Sequence, residues 1–264
     1  MRPAIGIGGL LLGAREFYLE PAYAPVREAQ RAHIARLLAI AGFDDTESRA
    51  KRIQALEVEI AKITWPSSEL RNEAKRNNVM SVAELERQAP GIDWSKYLAA
   101  TGVGSPEKVI LSTPSSVKAM AGLINTAPLA AWQDYLRYAT VLGTSGYLPK
   151  AARDEVFDFL GRQLRGQQAP GPRWIEAIID IGGDGKSVKP LGDPLGKLYV
   201  ARHVSPEARA KSRAMIDNLV AAFDERLAKA EWMTPETRAP ARDKLASTEH
   251  RAHQKMLGAK DSVC

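Results

Sequence analysis

Apolar residues recur at intervals of three and four through almost all of this 264-residue chain, and that rhythm excludes most architectures. Ile53, Leu56, Ile60 and Ile63 line one face of a helix, which Trp65-Pro66 closes because a residue before proline is pushed out of helical geometry. Val26, His33/Ile34, Leu37 and Ala41 mark an earlier helix, with Gly42 as its C-terminal cap. Leu129, Trp132, Leu136 and Ala139 form a further stripe, and Val156, Phe159/Leu160 and Gln163/Leu164 another. Ile216, Val220, Phe223 and Leu227 make the last, widened by Met215 and Leu219.

Helix starts reinforce the pattern. Ser105-Pro106-Glu107, Ser205-Pro206-Glu207 and Thr234-Pro235-Glu236 each combine a capping hydroxyl, proline at the first helical position and an acid at the positive end of the dipole. Thr113-Pro114 offers a fourth start without the acid, and Ser81-Val82-Ala83-Glu84 reads as a capping box. Lys108–Leu111 is the one short apolar run that could be extended. The expectation is an all-α fold of amphipathic helices with little or no sheet. Its longer loops are Gln167–Pro172 and the Gly-rich Ile181–Asp193. The first 13 residues and the last 15 or so look like loose ends.

Catalytic chemistry is hard to find. His33, His203, His250 and His253 include no His-Glu-x-x-His pair. That pair would set two imidazoles on one helix face with a general base beside the metal-bound water. In Glu249-His250-Arg251-Ala252-His253 the histidines are three apart with a cation between them, which fits a polar tail. His33 and His203 read as packed or solvated helix residues. Gly182-Gly183-Asp184-Gly185-Lys186-Ser187 lacks the first glycine of a phosphate loop, and Lys189-Pro190 denies it the following helix. Serines and threonines concentrate at helix starts, and no Gly-x-Ser-x-Gly elbow occurs. Glu57 and Glu59, near Lys62, read as a solvated face. Trp65, Trp94, Trp132, Trp174 and Trp232 read mainly as core anchors. No catalytic, cofactor-binding or metal-binding residue is assigned.

The net charge of +6 arises from 37 basic and 31 acidic residues that are interspersed, which argues against nucleic acid as a partner. The lone Cys264 excludes an internal disulfide and a cysteine-based zinc site. Arg2 followed by Ala4–Leu12 has a weak signal-like form that suits a ragged start equally well. No run approaches the roughly 18 apolar residues of a membrane span.

Several segments carry a resemblance. Pro194–Leu245 runs from a Pro-Leu-Gly turn through a long helix to Trp232-Met233-Thr234-Pro235-Glu236-Thr237-Arg238. Arg15-Glu16-Phe17-Tyr18-Leu19, Met80–Trp94, Thr126–Tyr138, Tyr147–Gly161 and Arg173-Trp174 precede it in order. Together they resemble the N-terminal helical region of the neprilysin/endothelin-converting-enzyme family of zinc metalloendopeptidases over 15–247. Both flanks, 1–14 and the divergent polar tail 248–264, depart from the family pattern, as a truncation or a frameshift would make them. The family's zinc ligands and catalytic Glu find no counterpart, so zinc is expected only in a catalytic domain outside this chain.

The resemblance implies a lid that faces the zinc domain across a chamber and admits small peptides, without catalysing their hydrolysis alone. Its partners would be that catalytic domain and, in the intact enzyme, small peptides. It also implies export or membrane anchoring, which the chain's start does not establish. The alternatives are a free-standing helical interaction module and, third, a zinc peptidase in its own right. Helices built to pack on another domain would leave apolar stripes exposed and the chain poorly soluble.

Overall fold

The computed structural model describes residues 2–182 and 191–247, which fall into two compact units, Met1–Pro170 and Gly171–Cys264. The first unit runs β1 (Ala4–Ile5), α1 (Glu16–Leu19), α2 (Ala24–Ile40), α3 (Thr46–Ile63), α4 (Glu73–Arg76), β2 (Asn78–Ser81), α5 (Val82–Gln88) and α6 (Trp94–Ala100). It continues through β3 (Lys108–Leu111), α7 (Pro114–Thr126), α8 (Leu129–Thr144) and α9 (Lys150–Val156), which passes into a π-helical turn over Phe157–Gln163. The second unit holds α10 (Arg173–Gly182), α11 (Gly192–His203), α12 (Pro206–Ala228) and α13 (Pro235–Ala246). Helix dominates, as its periodicity predicts.

The main core of the first unit lies among α2, α3 and α8. Ile34, Leu37 and Leu38 pack with Ile53, Leu56 and Ile60 and with Tyr135 and Tyr138. Gly42 ends α2 at φ +83°, a conformation that favours glycine at a helix C-terminus. A second cluster joins the small sheet to α5–α7 through Ile5, Met80, Leu85, Trp94, Val109, Leu111 and Val117. The Trp94 indole donates to the Ala89 carbonyl at 2.8 Å, which satisfies its buried N–H.

The sheet order is β1-β3-β2. β3 pairs in parallel with β1, Ala4 facing Ile110, and antiparallel with β2, Asn78 facing Leu111. Lys108–Leu111 is therefore extended, with Val109 and Leu111 buried alternately as a half-buried strand requires. Ser105-Pro106-Glu107 leads into this strand and starts no helix. The beginning of the chain is not loose: Ala4–Ile5 is paired and Ile5 is buried. Its partner lies far along the chain, so no local pattern announces it.

The other starts form helices. Ser81 Oγ accepts from the Glu84 amide at 3.2 Å while Glu84 Oε2 accepts from the Ser81 amide at 2.7 Å, completing the capping box. Ser205 Oγ accepts from the Ala208 amide at 3.1 Å and opens α12. Thr234 opens α13 without a side-chain bond to the helix amides. The Ile181–Asp193 loop is shorter than expected, because Ile181 and Gly182 extend α10 while Gly192 and Asp193 open α11. In the second unit, Arg242 donates in bidentate fashion to Asp224, both bonds 2.6 Å, and ties α13 to α12.

Candidate functional site

The distinctive surface is apolar and lies on helices. Along α12, Met215, Leu219 and Phe223 follow one another at intervals of four and are 60%, 64% and 52% exposed. On α10, Trp174, Ile178 and Ile181 are exposed, and on α11 Leu198 and Tyr199. Among the described residues of the second unit only Val200 and Leu227 are buried hydrophobics. Trp174 and Trp232 therefore do not anchor a core, contrary to their sequence reading, whereas Trp94 does. In the first unit, Leu129 and Leu136 of α8 are 71% and 60% exposed. Of the stripe that paired them, Trp132 and Ala139 are half-buried, with Trp132 packed against the main core, and the fully buried side of α8 is Ala131, Tyr135, Tyr138 and Val141. Such faces can bind apolar surface; they carry no reacting group.

Three buried polar clusters lie beneath. Glu57 belongs to no solvated face: its side chain is fully buried, while Lys62 pairs with Glu59 at 2.6 Å on the outside. The reason is spacing, for Glu57 lies four residues after Ile53 and three before Ile60, within the apolar stripe of α3. That spacing was the signal available in the sequence. Leu11 N, Tyr18 Oη and Gln30 Nε2 all donate to its carboxyl, at 3.0, 2.9 and 2.7 Å. Burial pushes the Glu57 acid up to about 7 despite these three donors.

His33 is also packed inside. Its Nδ1 lies 3.0 Å from Glu155 Oε1, its ring stacks on Phe159 at 4.6 Å, and its buried Nε2 has no partner. Burial lowers its pKa, and the hydrogen bond and charge of Glu155 act the other way. Asp134 on α8 gathers Arg49 and Arg52 of α3 at 2.5 and 2.7 Å, with Arg137 at 3.2 Å. Burial would raise the Asp134 acid, but hydrogen bonds from Arg52 and Arg49 hold it below the usual carboxylate range. All three clusters join helices to one another; Glu155 of the His33 pair also lines a surface cavity with Lys150, Asp154, Asp158 and Arg162.

Zinc does not fit these donors. His33 commits one nitrogen to Glu155 and buries the other against aromatic rings, while His203 packs on Tyr199 at 4.8 Å. Among the described residues no group of three or more His, Cys, Asp or Glu could hold a metal ion. His250, His253 and the Gly183–Ser187 part of the phosphate-loop candidate lie outside the described residues; Gly182 ends α10. Among the described residues no helix is long and apolar enough to cross a membrane.

Residues 2–252 match the N-terminal model of peptidase family M13. The chain belongs to that family. It is similar to endothelin-converting enzyme-like 1 of Homo sapiens, 25% identical over 244 residues that cover 90% of this chain and 31% of the relative. Neprilysin-2 of Drosophila melanogaster is 26% identical over 202 residues, covering 72% of this chain and 26% of its own. Among solved structures, the Mycobacterium tuberculosis zinc metalloprotease ZMP1 in its open state superposes with a TM-score of 0.73 at 28% identity, over 92% of this chain and 38% of that one. The same protein in complex with an inhibitor gives 0.71. The chain thus spans about a third of the length of these relatives. The resemblance drawn from short motifs holds, and the M13 N-terminal region is the part of the peptidase represented.

Proposed function

We propose that this M13 chain serves as the substrate-gating lid of a zinc metalloendopeptidase. It docks on a zinc-bearing catalytic domain, restricts entry to small peptides, and supplies no catalytic residue, cofactor ligand or metal ligand itself. Residues 15–247 form the gating body in this reading. The observation that carries it is the long exposed apolar face of α12, which a domain of an M13 peptidase can cover. The engagement of His33 by Glu155 and the purely structural placing of Glu57 and Asp134 support the absence of catalysis.

The test has two arms. Purified chain should contain no stoichiometric zinc and show no chelator-sensitive hydrolysis of a short peptide. Stoichiometric zinc with such turnover would overturn the reading. Added to a separately produced M13 zinc domain, the chain should bind and shift cleavage toward short peptides over long ones. Binding without that shift would leave an interaction module rather than a gate.

A further inference from the structure

The small sheet is open on one side. β3 is its middle strand, so β1 has a neighbour on one edge only. Pro3 and Ile5 turn their carbonyls toward β3, accepting from the Ile110 and Ser112 amides at 2.9 and 2.8 Å. Main-chain groups alternate between the two edges of a strand, so Ala4 and Gly6 direct theirs away from β3. Ala4, Gly6 and Gly8 are exposed, and among the described residues no hydrogen bond reaches the main chain of Gly6 or Gly8.

Nothing in the sequence guards this edge. Sheets commonly blunt a free edge with charge or proline. Residues 4–9 read Ala-Ile-Gly-Ile-Gly-Gly and carry neither. Crowding does not demand the glycine at position 8, because a Cβ there would meet nothing within 4 Å. Its backbone does not demand it either, since Gly8 lies outside the left-handed region. Bare main chain is what lets a second backbone approach closely.

A cavity of about 440 Å³ adjoins the same edge. Ile5–Gly8 form one wall, and Ile92, Trp94, Tyr97, Met120 and Ile124 face it from α6, α7 and the turn before α6. Among the described residues no charged side chain lines it, and the Trp94 indole is already committed to the Ala89 carbonyl. Tyr97 and Ile124 at its rim are 48% and 44% exposed.

These features set two demands on an occupant. The outward amides and carbonyls of Ala4 and Gly6 require an extended main chain, and the cavity requires an uncharged apolar side chain. A strand meets both, because every second side chain faces the same way. We propose that the first unit takes up an extended apolar segment of a partner polypeptide by strand addition to β1, with an apolar side chain of that segment seated in the cavity. Main-chain pairing fixes the register of the segment, and the cavity selects its sequence. The surface depends neither on α12 nor on a zinc domain.

The full chain is titrated with the peptide acetyl-Lys-Thr-Val-Thr-Val-Thr-Lys-amide and followed by NMR of the backbone amides. Exchange of the Ala4 and Gly6 amides should slow by roughly tenfold or more at saturation. N-methylation of the valines in one peptide, and of the threonines in another, removes donors from opposite edges of the added strand. One of the two should bind about tenfold more weakly than the parent or worse, while the other matches it. Ile124→Lys places a charge on the exposed rim and should weaken binding by about tenfold with the melting temperature unchanged. No binding at millimolar peptide, or unchanged exchange at Ala4 and Gly6, would overturn the proposal. Equal affinity of the two methylated peptides would overturn it too, by showing a cavity that takes apolar groups without pairing. Slow exchange at Gly6 in the free chain that vanishes on dilution would assign the edge to a second copy instead. Should Ile124→Lys fail to fold, the methylated peptides decide alone.

Discussion

Replacing Met215, Leu219 and Phe223 by glutamine tests whether the apolar face of α12 is a docking surface. Full burial of such a side chain is worth roughly 1.5–3 kcal/mol. More than half of each remains exposed, so a covering partner gains about 1 kcal/mol per residue at these positions. Three substitutions should cost on the order of 3 kcal/mol of association, or about a hundredfold in affinity for an M13 zinc domain. Glutamine nearly matches leucine and methionine in helix propensity, so α12 should persist. The chain's own stability should change by no more than about 0.5 kcal/mol, because the side chains point to solvent. Calorimetric titration against the zinc domain reads the affinity, and binding of an apolar dye reports loss of the face. Reduced dye binding with affinity unchanged would refute this assignment. A large fall in melting temperature would show that the face is packed within the chain.

Asp134→Asn should lower stability by about 2–3 kcal/mol, less than for a fully dry ion pair because Arg52 and Arg137 reach solvent. The corresponding fall in melting temperature is roughly 5–10 °C. His33→Leu removes a histidine whose folded pKa lies below its ordinary value of 6.5. Wild-type stability should therefore fall as pH drops below that value, and the acid limb of melting temperature against pH should be shallower in the variant. Gly161→Ala would place a methyl 2.6 Å from the Phe157 ring and 2.9 Å from the Gln167 side chain. The crowding should cost about 1–3 kcal/mol in denaturant unfolding and disturb the π-helical turn.

What was legible was local. The α3 stripe, the Gly42 cap and the Ser81–Glu84 box each depend on residues within one or two turns, so their spacing suffices. The pairing of Ala4–Ile5 with β3 depends on a distant strand and has no signature of its own. Glu57 is intermediate. Its position between Ile53 and Ile60 places it in the core, but an unpaired acid in a stripe is read as surface until Tyr18 and Gln30 are known to meet it.

The misreading of α8 bears most directly on function. Leu129 and Leu136 are seven residues apart and share one face; Ala131, Tyr135 and Tyr138 share another at spacings of four and three. Both sets fit a helix equally well, so periodicity establishes the helix without choosing the side that turns inward. Polar partners make the choice. Asp134 can reach Arg49 and Arg52, and the Tyr135 hydroxyl can reach Gly9, only when the tyrosine face is buried. The leucines are then left over. The same surplus recurs on α12, where Leu227 is buried and Ile216 and Val220 are half-buried while Met215, Leu219 and Phe223 are not. A helix with more apolar surface than its own unit covers is reasonable economy only if another surface covers the remainder. A gate that closes on a catalytic domain needs such a remainder, and an isolated helical bundle does not.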